Sequence, residues 1–231
     1  MALYTTLEMI ERVPRHTFSE EFMGTFCEMR WHEFLDLIGP DTPKDKKLYL
    51  ADLLRLGVTP KYVLWGILCL PKEQYWRSKA AWVHFACDCA ERVLPLYEAD
   101  YPGDFRVRKA IEASRNFAEG KTAQAILKAT RDGAEKASDE ATPGRASFWA
   151  AWAAAELAAM ARKAVRRDRG ILARTARGAI SVATMARGAR HEAVQRLFGF
   201  LFNRRQLVAA QREYLWQSSR LIAYCDGSIS I

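Results

Sequence analysis

His84, Cys87 and Cys89 are the closest grouping of metal-capable side chains in this 231-residue sequence. On a helix His84 and Cys87 stand about one turn apart and can share a face. Cys89, two residues beyond Cys87, is turned about 200° around the axis. Neither Cys-x-x-Cys nor His-Glu-x-x-His occurs, so zinc-ligand spacing is missing. The expectation is a helix with buried thiols and no metal. His16, His32 and His191 stand in no recognisable nucleophile setting, and no G-x-S-x-G is present. Walker loops and G-x-G-x-x-G turns are also absent from the sequence. No catalytic residue and no cofactor follow from these patterns, although a triad assembled in space stays open.

A second chemistry is anion binding. In "YPGDFRVRK" a Pro102-Gly103-Asp104 turn precedes Arg106, Arg108 and Lys109. Helix starts attract anions, but a carboxylate at the cap would occupy the same amides and repel phosphate. Arg108 and Glu112 are four residues apart, a spacing that allows an ion pair on the helix surface. The turn therefore reads as a capped helical hairpin in which Pro102, Asp104 and Glu112 are structural. Arg106 and Arg108 remain candidates for contacting a partner or an anion.

The third chemistry is bulk charge. The net charge is +8, and it is unevenly spread: residues 145–220 hold 15 Arg and Lys against 4 Asp and Glu. Arg162, Arg166, Arg167, Arg169 and Arg174 crowd one stretch of that segment. Such a patch suits an anionic partner. Arginine makes bidentate contacts to carboxylates as readily as to phosphates, so an acidic protein surface and a nucleic acid both fit. No helix-turn-helix, finger or RNA-binding signature decides for nucleic acid.

Helices must position all of these groups. Phe22, Met23, Phe26, Cys27, Trp31, Phe34, Leu35 and Ile38 recur at three- and four-residue steps, the period of one helical face. Ser19 can cap that helix, and Gly39-Pro40 can stop it. Thr5 and Glu8 have capping-box spacing. Thr42-Pro43 and Thr59-Pro60 each read as an N-cap followed by a first helical proline, with Gly57 and Pro71 as stops. A long helix is expected over roughly residues 72–99. Trp82, Val83, Ala86, Cys87, Ala90, Val93, Leu94 and Tyr97 form its apolar stripe, and Pro95 lies inside it. Helices near 104–119 and 122–138 follow, then three or four rich in Ala and Arg. No alternating β-branched run predicts a strand.

The fold class is all-α, a multi-helix bundle with a central helical hairpin. The chain reads as one domain, 1–231, with a subdomain boundary near 138–145 between a near-neutral part, 1–140, and a basic part, 145–224. Five scattered cysteines suit reduced thiols. No apolar run reaches the roughly 18 residues of a membrane span, and the N-terminal residues lack signal-peptide character. A cytoplasmic location is the expectation.

One segment carries a family resemblance. "CDCAERVLPLYEADYPGDFRVRKAIEASRNFAEGK", Cys87 to Lys121, resembles the central segment of the Imm-5-like bacterial immunity proteins of polymorphic toxin systems, which also occur in phages. The matching residues are Cys89, Ala90, Glu91, Val93 and Leu94, then Pro102 and Asp104, then Arg106, Arg108, Ala110, Ile111, Glu112 and Ala113. Where the family commonly shows Arg-Pro-Arg, this chain has Arg106-Val107-Arg108. The resemblance implies an all-helical, non-catalytic protein. It would bind and block a toxin or, if phage-borne, a host defence complex such as a CRISPR-type nuclease. The basic patch adds the expectation of an acidic surface on that partner. The alternative is a nucleic-acid-binding protein using the basic C-terminal helices.

Overall fold

The computed structural model describes residues 2–12, 28–58, 70–164, 178–179, 181–186, 188–190, 192–193 and 203–229. The chain is mostly helical, as the periodicity predicts, and divides into two compact units. One comprises residues 1–78 and 221–230, the other residues 79–220.

The first unit is assembled around a short β-pairing that the sequence did not predict. β1 (Tyr4–Thr5) pairs antiparallel with β2 (Leu48–Tyr49), in the register Tyr4 to Tyr49 and Thr5 to Leu48. The Leu3 carbonyl accepts from the Leu50 amide at 3.0 Å, and the Leu3 amide donates to the Cys225 carbonyl at 2.8 Å. Backbone donors that a loop would leave to water are thereby satisfied. α1 (Leu7–Glu11) is capped by Thr6, whose hydroxyl accepts from the Met9 amide at 3.2 Å. The cap thus falls one residue after the expected Thr5, because Thr5 is held in the β-pair.

α2 (Glu28–Ile38) ends where Gly39, at φ +97°, supplies the left-handed turn expected of it. The Thr42-Pro43 start is corrected by the structure. The Thr42 hydroxyl instead donates back to the Ile38 carbonyl at 2.8 Å, closing α2. The next helix, α3 (Leu50–Arg55), begins only after β2. Gly57 and Val58 close α3 with amides bonded to Leu54 and Leu53, a Schellman end. Leu3, Leu7, Leu50, Leu53, Leu54, Leu221 and Cys225 are buried in this unit. The Ser19 cap, the apolar positions 22–27 and the Thr59-Pro60 start lie outside the described residues.

The second unit is built on α4 (Tyr75–Asp100), which follows a 3₁₀ turn at Lys72–Gln74. Every residue from Ala81 to Ala90 is buried, so this helix is covered on all sides and not on one stripe alone. The full apolar set from Trp82 to Tyr97 is inside, as expected, and the helix continues past Pro95. α5 (Arg106–Ala118), α6 (Gln124–Glu140) and α7 (Ala146–Ala164) pack against one another. Gly120 and Lys121 end α5 with amides bonded to Phe117 and Asn116, the same Schellman device. Residues 141–145 join α6 to α7 inside this unit.

α7 carries buried Ala150, Ala151, Ala153, Ala154, Ala158 and Ala161, so neighbouring helices can approach closely. At Gly178 a Cβ would lie 2.6 Å from Met160 Cγ; only glycine fits that approach. Helical residues between 178 and 193 and α8 (Asn203–Asp226) supply the rest.

Candidate functional site

Polar assemblies among the described residues of the second unit differ in how far their charges are already matched, and three of them bear on function. The first is the corner between α4 and α5. Asp104 accepts from the Arg106 amide at 3.0 Å, so its carboxylate does close the helix start, one position before the geometric cap at Phe105. The same carboxylate takes the Arg106 side chain at 2.6 Å and the Tyr97 hydroxyl at 2.6 Å. Arg106 also reaches Glu140 on α6 at 2.5 Å. The Arg106 guanidinium holds the Asp104 carboxyl well below the usual range, with the Tyr97 hydroxyl adding to the effect against burial. Burial and the Asp104 hydrogen bond push the Tyr97 hydroxyl up.

Arg108 binds Glu98 at the end of α4 through two bonds of 2.8 Å. The expected partner, Glu112, is exposed on α5 and is not the residue that Arg108 pairs with. The i,i+4 spacing offered one carboxylate; the fold at the corner brought a better placed one. Pro102 is exposed in the turn itself, beside Gly103 at φ +88°.

The second assembly sits along α4. Asp88, only 7 % exposed, accepts from Arg115 at 3.0 Å and from Arg220 at 2.6 Å. Arg115 also reaches Glu91 at 2.8 Å. Its guanidinium lies 3.3 Å from His84 Nδ1. A guanidinium can only donate, so a hydrogen bond here uses the neutral tautomer in which Nδ1 accepts and Nε2 carries the proton. Burial, then the Arg115 charge, hold the His84 pKa below its ordinary value. Among the described residues Nε2 has no hydrogen-bond partner, and Glu119 is 4.0 Å away. The neighbouring Cys87 thiol is buried, donates to the Ile111 carbonyl at 3.9 Å, and is pushed up out of thiolate range by burial. These groups interlock α4, α5 and α8. Among the described residues, no group of three His, Cys, Asp or Glu side chains is placed to hold a metal ion.

The third assembly is an open cleft of about 360 Å³ between α6 and α7. Arg131, Glu135, Ser138 and Asp139 face it from α6, and Phe148, Trp152, Ala155, Glu156 and Ala159 from α7. Both sets follow the i, i+4, i+7, i+8 progression of one helical face. Ala155 and Ala159 are small, so the floor is low. Trp152 stacks on Trp149 at 5.9 Å and 5°, with Phe148 edge-on at 5.3 Å, yet remains 40 % exposed. Arg131 is matched by Glu135 at 3.1 Å. Asp139 and Glu156 have no ion-pair partner among the described residues.

This cleft is the assembly that sequence reasoning missed. Its signal was present as Phe148, Trp152 and Glu156 at four-residue steps, and as Arg131, Glu135 and Asp139 at the same steps. Of the predicted contact residues, Arg106 and Arg108 share the corner, and Arg162 lies half-buried on α7. Arg166, Arg167, Arg169 and Arg174 lie outside the described residues. No described helix is long and apolar enough to cross a membrane.

Residues 76–155 match a family model described as "Imm-5 like putative immunity protein". The match runs from the second residue of α4 through α5 and α6 into α7. It takes in the whole segment whose resemblance was read from the sequence. No curated protein and no solved structure matches the chain.

Proposed function

We propose that the chain is a protein-binding inhibitor of the immunity-protein kind, without catalysis of its own. It would act in the cytoplasm on a bacterial toxin or, if phage-borne, on a host defence complex such as a CRISPR-type nuclease. The observation that carries this reading is the coincidence of the family match with the open cleft. Of the nine cleft-lining residues, all but Glu156 and Ala159 fall inside the matched segment 76–155. A half-exposed tryptophan rimmed by polar groups has the composition of a binding hot spot. The polar clusters elsewhere in this unit are engaged in holding helices together, which supports a scaffold and not a reaction centre.

The reading is tested by co-expressing the chain with the products of the genes that neighbour its own, taking those that are toxic on their own. The expected results are rescue of growth and a complex that survives size-exclusion chromatography. Unrelieved toxicity with no complex at low or moderate salt would overturn it.

The arginine excess of residues 145–220 supports one other reading, binding of nucleic acid. That reading requires affinity for DNA or RNA that falls steeply with salt. Absence of any shift at low salt removes it.

A further inference from the structure

We infer that the cleft between α6 and α7 seats an arginine side chain presented by the protein that the chain blocks. This rests on the inhibitor reading above and gives the partner its chemistry. Arg131 is taken up by Glu135 at 3.1 Å, which leaves Asp139 and Glu156, on opposite walls, as carboxylates without an ion-pair partner among the described residues. An apolar side chain entering the cleft would strip water from both without replacing it, which is costly. An acidic side chain would add repulsion. A cation is the occupant whose charge these carboxylates favour.

The aromatic wall selects among cations. Trp152 is braced by Trp149 and Phe148 and stays 40 % exposed. A planar guanidinium stacks on such a ring and donates in a fork to carboxylates at its edge, whereas an ammonium is a compact, strongly hydrated point charge. The chain already uses this pairing internally, with the Arg92 guanidinium 4.4 Å from the Trp216 ring while bound to Glu213 at 2.6 Å. The low floor at Ala155 and Ala159 leaves room for the aliphatic stem.

The net charge sharpens the inference. A chain of +8 repels cationic peptides in bulk, so any cation that binds must be held locally.

The experiment measures fluorescence anisotropy of rhodamine-labelled tetra-arginine, tetra-lysine and tetra-glutamate peptides with the full chain at low salt. Tetra-arginine is expected to bind several-fold more tightly than tetra-lysine. The double variant D139N/E156Q and the single variant W152A are each expected to weaken tetra-arginine binding by about tenfold. E112Q, which removes an exposed carboxylate from α5, is expected to change nothing.

Equal binding of the two cationic peptides, indifference to the cleft variants, or tetra-glutamate binding that those variants weaken would each overturn the assignment. Repeating the variants on the toxin complex separates the two readings. A toxin held equally by wild type and D139N/E156Q sinks the arginine seat and leaves the inhibitor reading standing. An absent toxin complex beside the expected peptide series does the reverse.

Discussion

The α4–α5 corner and the α6–α7 cleft hold comparable numbers of charged groups and use them in opposite ways. At the corner, Asp104, Arg106, Glu140, Arg108 and Glu98 are all matched within the fold, at distances of 2.5 to 2.7 Å for their closest contacts. In the cleft Asp139 and Glu156 face solvent beside a half-exposed tryptophan. A charge matched internally fixes helix geometry and has little left to offer a partner. An open charge beside an aromatic contributes little to folding and can be spent on recognition. Arg106 and Arg108, two of the contact residues expected from the sequence, are already engaged within the fold.

That contrast can be broken by substitution. The largest effect is expected at Asp88, which shares the corner's character in a more buried setting. Asp88→Ala removes the buried carboxylate that Arg115 and Arg220 share, leaves Arg115 with Glu91 alone, and should cost about 3 kcal/mol of stability in urea denaturation. Asp104→Ala removes the partner of Arg106, Tyr97 and one helix-start amide, and should cost about 2 kcal/mol.

The Asp104 contribution also has a pH signature. Its carboxyl pKa is lowered in the folded state, so it stabilises at neutral pH. That stability fades as pH falls through the ordinary carboxylate value of 3.8 toward the lower folded value. Acid titration of the wild type against Asp104→Asn should show this loss in the wild type alone. Arg108→Ala, which breaks a half-exposed pair, should cost about 0.2–1 kcal/mol, and less in high salt. The smallest effect is expected for D139N/E156Q, within about 0.5 kcal/mol of wild type in the same denaturation experiment. A large loss there would erase the distinction between the two regions.

How much of this could be read in the sequence depends on the range of the interaction. α4, α5 and the stops at Gly39 and Gly57 were legible because helical period and glycine ends are local signals. The capping of α1 was misplaced by one residue because Thr5 answers to Leu48, more than forty residues away. Two-residue strands have no alternation to display, so β1 and β2 were invisible. Their formation also cancelled the helix start at Pro43. Glu98 was missed as the partner of Arg108 because a tight turn, not a helical repeat, brings them together. The cleft was only half legible. Each wall is a regular stripe in the sequence, but which two stripes face each other is decided by the packing of α6 on α7.

The bond from Leu3 to Cys225 has a consequence for the order of assembly. Residues 79–220 emerge from the ribosome as one continuous piece and can fold as soon as they are made. The segment around residues 1–78 must wait for residues 221–230 before Leu3 finds its acceptor. The part synthesised first is thus expected to finish last. In pulse-labelled hydrogen exchange during refolding, the Leu3 amide should gain protection after the amides of α5 and α6.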